Sequence, residues 1–289
     1  MSPEPAGRPS LALLARGLDD EPGAQRLAAE LALPLATTGA DPGACLEFDI
    51  VLIVQGPTLA LQQTGRVAPG GRSRRDRGGR GSATGALPGP VSIDFGADGM
   101  RHRRRSGHNE LLGKAVGVSA RRRPRILDAT AGLGRDSFVL ADMGCEVILC
   151  EREPVIAAML RQGLDTALAS GDDWLLPSVR RMQLFAGDAR TMSSPLSGAV
   201  EVIYLDPMFP SRDKSAAVKK EMALFQRLLE PDAAPGDAEA LLHWALAQEV
   251  ARIVVKRPVR ASFLAEQKPS HSVAGKAVRF DVYVRRALG

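Results

Sequence analysis

Apolar and polar positions alternate along this chain in two registers. From residue 125 onward, short predominantly apolar runs at 126–129, 146–150, 182–185, 200–205 and 252–256 are separated by longer stretches. In those stretches, at 136–143, 154–169, 216–229 and 237–249, apolar residues return every three or four positions. Apolar runs with no polar alternate suit strands covered on both faces, and strand–helix alternation predicts a parallel sheet with helices packed on it. The pattern closes with residues 271–273 and 278–285 flanking Ala274-Gly275-Lys276, a predicted β-hairpin. Ahead of this region, residues 10–64 form a smaller mixed unit. Leu11 to Ala15 is an apolar run, 23–33 has helical spacing, and 46–54 and 58–62 read as strands.

Composition divides the chain further. Residues 65–90 turn abruptly to Gly, Arg, Ser and Pro, including Gly70-Gly71-Arg72-Ser73-Arg74-Arg75-Asp76-Arg77-Gly78-Gly79-Arg80-Gly81. Such a stretch lacks the apolar surface to order itself and is expected to be a disordered insertion. Order is expected to resume at Val91-Ser92-Ile93-Asp94-Phe95, with a helix over 109–116. The predicted organisation is a small N-terminal mixed α/β domain (1–64), an Arg/Gly-rich insertion (65–90) and a large α/β domain (91–289). Neither a leader-like apolar stretch nor a membrane span is visible, and three cysteines without CxxC spacing suggest neither a disulfide framework nor a metal site. A cytoplasmic location is expected. Four histidines, His102, His108, His243 and His271, have no metal-pair spacing.

The net charge of +5 conceals a strong asymmetry. Residues 66–125 hold 15 Lys and Arg against four acidic residues, an excess of +11; the other 23 basic and 29 acidic residues leave −6. The runs Arg101-His102-Arg103-Arg104-Arg105 and Arg121-Arg122-Arg123-Pro124-Arg125 concentrate that charge. A block of this kind suits a phosphate backbone, with Arg103, Arg104 and Arg105 the candidate contacts, although a solvated charged loop would look the same.

Candidate chemistry falls at the ends of the predicted strands. Asp128-Ala129-Thr130-Ala131-Gly132-Leu133-Gly134-Arg135-Asp136 joins a strand to a helix, and its small residues, Gly132 and Gly134 above all, allow a ligand close to the backbone and the helix N-terminus. A dinucleotide fingerprint would need a small residue three positions after Gly134 with the first glycine in register. The offset here disfavours a nicotinamide cofactor. Glu151 ends the next strand, where a carboxylate can accept both hydroxyls of a ribose, and Arg152 follows it. Gly187-Asp188 comes after the third strand, in the loop that meets adenine in adenosylmethionine enzymes.

The most discriminating motif is Val202-Ile203-Tyr204-Leu205-Asp206-Pro207-Met208-Phe209-Pro210, an apolar strand ending in Asp-Pro-x-Phe. It resembles the (Asp/Asn/Ser)-Pro-Pro-(Tyr/Phe) motif of amino-group methyltransferases. An exocyclic amine conjugated with a base is a poor nucleophile. Two acceptors fixed at a strand end, the Asp206 carboxylate and the Pro207 carbonyl, can take both its hydrogens and aim the nitrogen, and Phe209 can stack on the base. Pro207 fixes its own φ and so its carbonyl direction. Lys214, Lys219 and Lys220, just beyond this corner, and Lys256, at the end of the fifth strand, are candidate RNA contacts; the two adjacent lysines suit an exposed helix face equally well.

These stretches together resemble the ribosomal RNA small subunit methyltransferase J family, guanine-N2 methyltransferases of bacterial 16S rRNA. The resemblance is carried by Val91 to Phe95, Lys114-Ala115-Val116-Gly117, residues 128–139, Glu151 to Val155, 204–210, 214–222 with Phe225-Gln226, 254–258 and Arg279-Phe280-Asp281-Val282-Tyr283. It implies a class I, Rossmann-like methyltransferase sheet with a terminal antiparallel hairpin and a small N-terminal domain. It also implies S-adenosyl-L-methionine as cofactor, contacted at Arg135, Asp136, Glu151, Arg152, Gly187, Asp188 and Asp206. The partner it implies is 16S rRNA or the small ribosomal subunit, with no metal and no membrane. Gly187-Asp188 departs from the Ser-Ser that members of the family can carry, and the 65–90 insertion departs from the family pattern. An amino-methyltransferase of another nucleic acid or of protein glutamine shares the strand-end motif. A non-catalytic RNA-binding assembly factor would share the arginine block but have no use for the Asp206 corner.

Overall fold

The computed structural model describes residues 9–66, 87, 89–104, 108–192, 200–207 and 236–288, with 102–104, 108 and 109 given by their backbone alone. The predicted 216–229 helix and nearly all of the 65–90 insertion lie outside the described residues. Two compact units divide the described chain after Ile93.

The first unit is a four-stranded sheet in the order β1-β2-β3-β4, with β1 Leu11–Ala15, β2 Ile50–Gln55, β3 Thr58–Gln63 and β4 Val91–Ser92. β1 and β2 are parallel, joined through α1 (Glu21–Leu31), and the other pairs are antiparallel. Pro22 is in the first turn of α1, where a missing N–H costs nothing, and Ala32 ends the helix in the left-handed conformation at φ 53°. Leu14, Val51, Ile53 and Ala60 form a core against which Ala36, Ala40 and Cys45 pack. The strand reading of 46–54 loses its first residues because Pro42–Ala44 makes a 3-10 turn and pairing begins only at Ile50. Val91 and Ser92, which the sequence suggested as the start of the large domain, pair with Leu61 and Ala60, because Val91 buries its side chain in this sheet.

The second unit is a seven-stranded sheet in the order β10-β11-β9-β8-β5-β6-β7. Its strands are β5 Ile126–Asp128, β6 Val147–Glu151, β7 Met182–Ala186, β8 Val202–Leu205, β9 Arg252–Pro258, β10 His271–Ala274 and β11 Val278–Val284. β5 to β9 are mutually parallel, and the closing hairpin is antiparallel, with β11 inserted between β9 and β10. This is the class I methyltransferase outline. The helices are α2 Asp98–Arg104, α3 His108–Val116, α4 Arg135–Asp142, α5 Pro154–Ala169, α6 Leu176–Val179 and α7 Asp237–Ala247. Leu241, Leu242 and Ala245 of α7 pack with Leu127, Ile203, Leu205, Ile253 and Val255, alternate positions of three adjacent strands that make one face of the sheet.

The chain runs outward from β5 through β6 to β7, then returns to the other side of β5 for β8 and β9. Loops therefore diverge at the carboxyl ends of β5 and β8, leaving the crevice where open α/β sheets hold ligands. Asp128 and Glu151 close β5 and β6 there, and Asp206 follows β8 directly.

Candidate functional site

The glycine loop is strung between two strands. Beyond β5 the Ala129 N–H donates to the Tyr204 carbonyl on one side (3.0 Å), and the Ala131 N–H donates to the Cys150 carbonyl on the other (3.0 Å). Gly132 and Gly134 then adopt φ of 53° and 69°, a region L side chains occupy at a cost. Their surroundings differ. A Cβ on Gly134 would meet Leu160 at 2.9 Å and Phe95 at 3.2 Å, whereas one on Gly132 would find only the Thr130 carbonyl, at 3.9 Å. Gly134 is therefore fixed by the packing beneath it, and Gly132 is not crowded by any of the described side chains.

Three carboxylates frame the crevice. Asp128 is buried, accepts from the Thr130 N–H (3.1 Å) and takes the Ser137 hydroxyl at 2.5 Å. Burial pushes its pKa up to about 7, against the pull of those two hydrogen bonds. Glu151, also buried, accepts the Gly132 N–H on Oε2 and the Glu153 N–H on Oε1, both at 2.8 Å. Its pKa is raised by burial, with the two backbone donors opposing. Asp206 is the open one, its side chain 38% exposed, and Pro207 after it is buried. The Asp206 N–H donates to Thr130 Oγ1 at 2.6 Å, which ties the end of β8 to the glycine loop.

Lys256 sits among these groups. Leu205 pairs with Val255 in the parallel register of β8 and β9, so one step further on Asp206 and Lys256 are neighbours at the sheet edge. Lys256 Nζ lies 2.7 Å from Asp206 Oδ2 and 2.7 Å from Asp136 Oδ2, and the Tyr204 hydroxyl donates to that same Asp136 oxygen at 2.7 Å. Burial alone would lower the lysine pKa, but Asp206 and Asp136 more than offset it and the net shift is upward, so the side chain stays a cation. Burial raises the Tyr204 pKa, and the hydroxyl stays protonated. The sequence suggested Lys256 for RNA; the structure turns it inward, onto two carboxylates.

A second ionic chain lines the other end. Arg190 grips both oxygens of Asp188, at 3.0 Å from Nε and 2.5 Å from Nη2, and its hydrogen bonds hold the Asp188 carboxyl below the usual range. Arg190 Nη1 also reaches Asp237 Oδ1 (3.0 Å), and Arg152 Nη1 reaches Asp237 Oδ2 (2.7 Å). Arg152 and Asp188 are thus joined through the first residue of α7. Gly187 continues from β7, its N–H donating to the Glu151 carbonyl at 2.8 Å. Arg135 opens α4 beside Asp136.

Asp128, Gly132, Gly134, Arg135, Asp136, Glu151, Asp206, Pro207 and Lys256 thus belong to the glycine loop, the start of α4 and adjacent strand ends. Arg152, Gly187 and Asp188 belong to the end of β6 and the loop after β7. Phe209, Lys214, Lys219 and Lys220 lie outside the described residues, as does Arg105, and Arg103 and Arg104 are given only as backbone on α2. Arg101, at the head of the arginine run, stacks on Trp174 at 4.4 Å and pairs with Asp172 at 2.7 Å, which gives it a packing role. Thr130, Ser137, Tyr204, Arg190 and Asp237 escaped the sequence reading. Tyr204 left one signal, a hydroxyl inside an otherwise apolar strand. Among the described residues no His, Cys, Asp and Glu cluster could hold a metal, and no helix is long and apolar enough to cross a membrane.

Known proteins resemble this chain over nearly its whole length. The family described as "Putative SAM-dependent methyltransferase" matches residues 82–285. A protein of Thioalkalivibrio sulfidiphilus named ribosomal RNA small subunit methyltransferase J is 48% identical over 265 residues, 90% of this chain and 92% of the relative. Its namesake in Pseudomonas aeruginosa is 44% identical over 284 residues, 97% of each. A solved structure of a SAM-dependent methyltransferase from Neisseria gonorrhoeae is 29% identical, with a TM-score of 0.65 over 94% of this chain and 95% of that one.

Proposed function

The chain belongs to the ribosomal RNA small subunit methyltransferase J family of S-adenosylmethionine-dependent enzymes, and from that premise we infer that it methylates the exocyclic N2 amine of a guanine in bacterial 16S rRNA. The observation that carries the reading is Asp206, a half-exposed carboxylate at the carboxyl end of β8. Its backbone N–H is held by Thr130, and its side chain is held by Lys256.

The cofactor supplies a methyl group already activated by its sulfonium, so the protein has to position an amine and needs no strong base. Asp206 and the Pro207 carbonyl are the proposed acceptors for the two amine hydrogens. Glu151 is the proposed ribose contact. Its carboxylate is buried at the strand end with one backbone donor on each oxygen, and each oxygen retains a second lone pair for a hydroxyl. Among the described residues no side chain crowds Gly132, which suits a ligand passing close to the loop. Arg135, Asp136, Arg152, Gly187 and Asp188 complete the proposed cofactor contacts. Asp188 would reach an adenine amino group only by sharing its carboxylate with Arg190.

The proposed partner is 16S rRNA or the small subunit containing it, with Arg103, Arg104, Arg105, Lys214, Lys219 and Lys220 as phosphate contacts. Isotopically labelled adenosylmethionine, the full-length protein and unmethylated small subunits, or naked 16S rRNA, test the proposal. Nucleoside mass spectrometry should find label in N2-methylguanosine, and Asp206→Ala should lower kcat by roughly 10²- to 10³-fold. Label in another nucleoside, or undiminished turnover by Asp206→Ala, would refute the substrate or the mechanism respectively.

A further inference from the structure

We propose that Lys256 is a positioning residue for methyl transfer, which clamps the Asp206 carboxylate in its accepting orientation by bridging it to Asp136. The inference rests on the reading of Asp206 as the amine acceptor. A carboxylate that must accept a hydrogen from a weakly nucleophilic amine is useful only if its rotation is restricted beforehand. The backbone of Asp206 is anchored by the register of β8 and by Thr130, but neither contact restrains the side-chain torsions. Lys256 does, from the neighbouring strand, at 2.7 Å to Oδ2.

The lysine is itself restrained. Its second partner, Asp136, is on the first turn of α4 and receives the Tyr204 hydroxyl on the oxygen that meets the ammonium. Among the described residues, the groups facing the cation are Asp136 from α4 and Asp206 from the end of β8, with Tyr204 of β8 on the shared Asp136 oxygen and Asp128 of β5 in register beside Tyr204. The clamp joins the glycine-loop side of the crevice to the acceptor side through one ammonium. That arrangement differs from the phosphate contact suggested by a lysine at a sheet edge. The Lys256 side chain is only 21% exposed, and its ammonium already meets two carboxylates at 2.7 Å.

The two roles have different kinetic signatures. Full-length wild type, Lys256→Met, Asp206→Ala and the double variant are assayed on unmethylated small subunits, with adenosylmethionine affinity measured separately by calorimetry. The clamp predicts that Lys256→Met lowers kcat by roughly 10- to 100-fold while KM for the RNA substrate stays within about threefold. It also predicts that the acid limb of the kcat profile moves to higher pH, because the carboxylate has lost its cation, and that Lys256→Met slows Asp206→Ala no further. A raised KM with unchanged kcat would identify a phosphate contact and overturn the proposal, as would effects that multiply in the double variant. Undiminished turnover by Asp206→Ala would instead refute the acceptor reading and the clamp with it. Should Lys256→Met not fold, Lys256→Gln, whose neutral amide is one atom shorter than the ammonium and carries no charge to hold the two carboxylates together, is measured by the same criteria.

Discussion

Glu151 Oε2 accepts the backbone N–H of Gly132 at 2.8 Å, so the carboxylate proposed for the ribose also anchors the loop proposed for the rest of the cofactor. Its other oxygen holds the Glu153 N–H that leads into α5. Replacing one oxygen by an amide NH2 must set a donor against one of those N–H groups. Glu151→Gln should therefore weaken adenosylmethionine binding by roughly tenfold or more, about 1.4 kcal/mol, and lower thermal stability as well. Calorimetric titration and a melting curve check the two effects together; a variant with unchanged affinity would remove Glu151 from the cofactor site.

The two glycines of the loop should separate stability from binding. Gly134→Ala combines a left-handed backbone with a Cβ 2.9 Å from Leu160 and is expected to cost about 2–3 kcal/mol of folding stability. Gly132→Ala meets no side chain among the described residues, so its cost is the backbone strain, about 1–2 kcal/mol. Its larger effect should be on adenosylmethionine affinity. Denaturant unfolding and calorimetry on both variants give the comparison; equal losses of stability would contradict the difference in packing.

Asp128 should make stability depend on pH in the direction opposite to most carboxylates. Its pKa is about 7 in the folded chain, raised by burial from the ordinary carboxylate value, so the folded state favours the protonated form. That contribution is fully present below the unfolded pKa, near 4, and is lost as pH rises through about 7. Asp128→Asn, which mimics the neutral acid, should remove this dependence, and the variant should gain on the wild type by a few kcal/mol at most between pH 5 and pH 8. Chemical unfolding at the two pH values checks the sign; a wild type that gained on the variant with rising pH would show the carboxylate to be stabilised as an anion.

Shortening the segment between β3 and β4 should spare catalysis. Leu61 and Val91 face each other in antiparallel register, so a short turn suffices to connect the two strands. Replacing residues 67–86 by a few glycines and serines should leave kcat and the melting temperature at their parent values. Five arginines leave with the segment, so any change should fall on KM for RNA and on its salt dependence. Lost turnover at saturating substrate would give the segment a catalytic part.

The legible features of this chain were local ones. The apolar runs and their spacing sufficed for a parallel sheet closed by a hairpin, and Asp128, Glu151 and Asp206 could be placed because each ends such a run. Thr130 and Lys256 could not be assigned in this way. Their partners are set by which strands become neighbours and in what register, and β8 and β9 meet only after the intervening chain has folded back through α7. The cation of Lys256 looked like a surface charge because nothing local to Val255 or Arg257 reveals two carboxylates waiting across the crevice. Arg190 and Asp237 were hidden for the same reason: their ion pair links the loop after β7 to a helix beyond β8.

The sheet order has a kinetic side. β5 is flanked by β6 on one edge and β8 on the other, so its main-chain hydrogen bonds are covered by segments recruited from opposite directions along the chain. Exposing the amides of Ile126, Leu127 and Asp128 to solvent deuterium requires both halves of the sheet to part, an event close to global unfolding. Exchange there should be among the slowest in the molecule, while the loop that begins one residue later, held by single hydrogen bonds, can open and reclose many times without disturbing the strand beneath it.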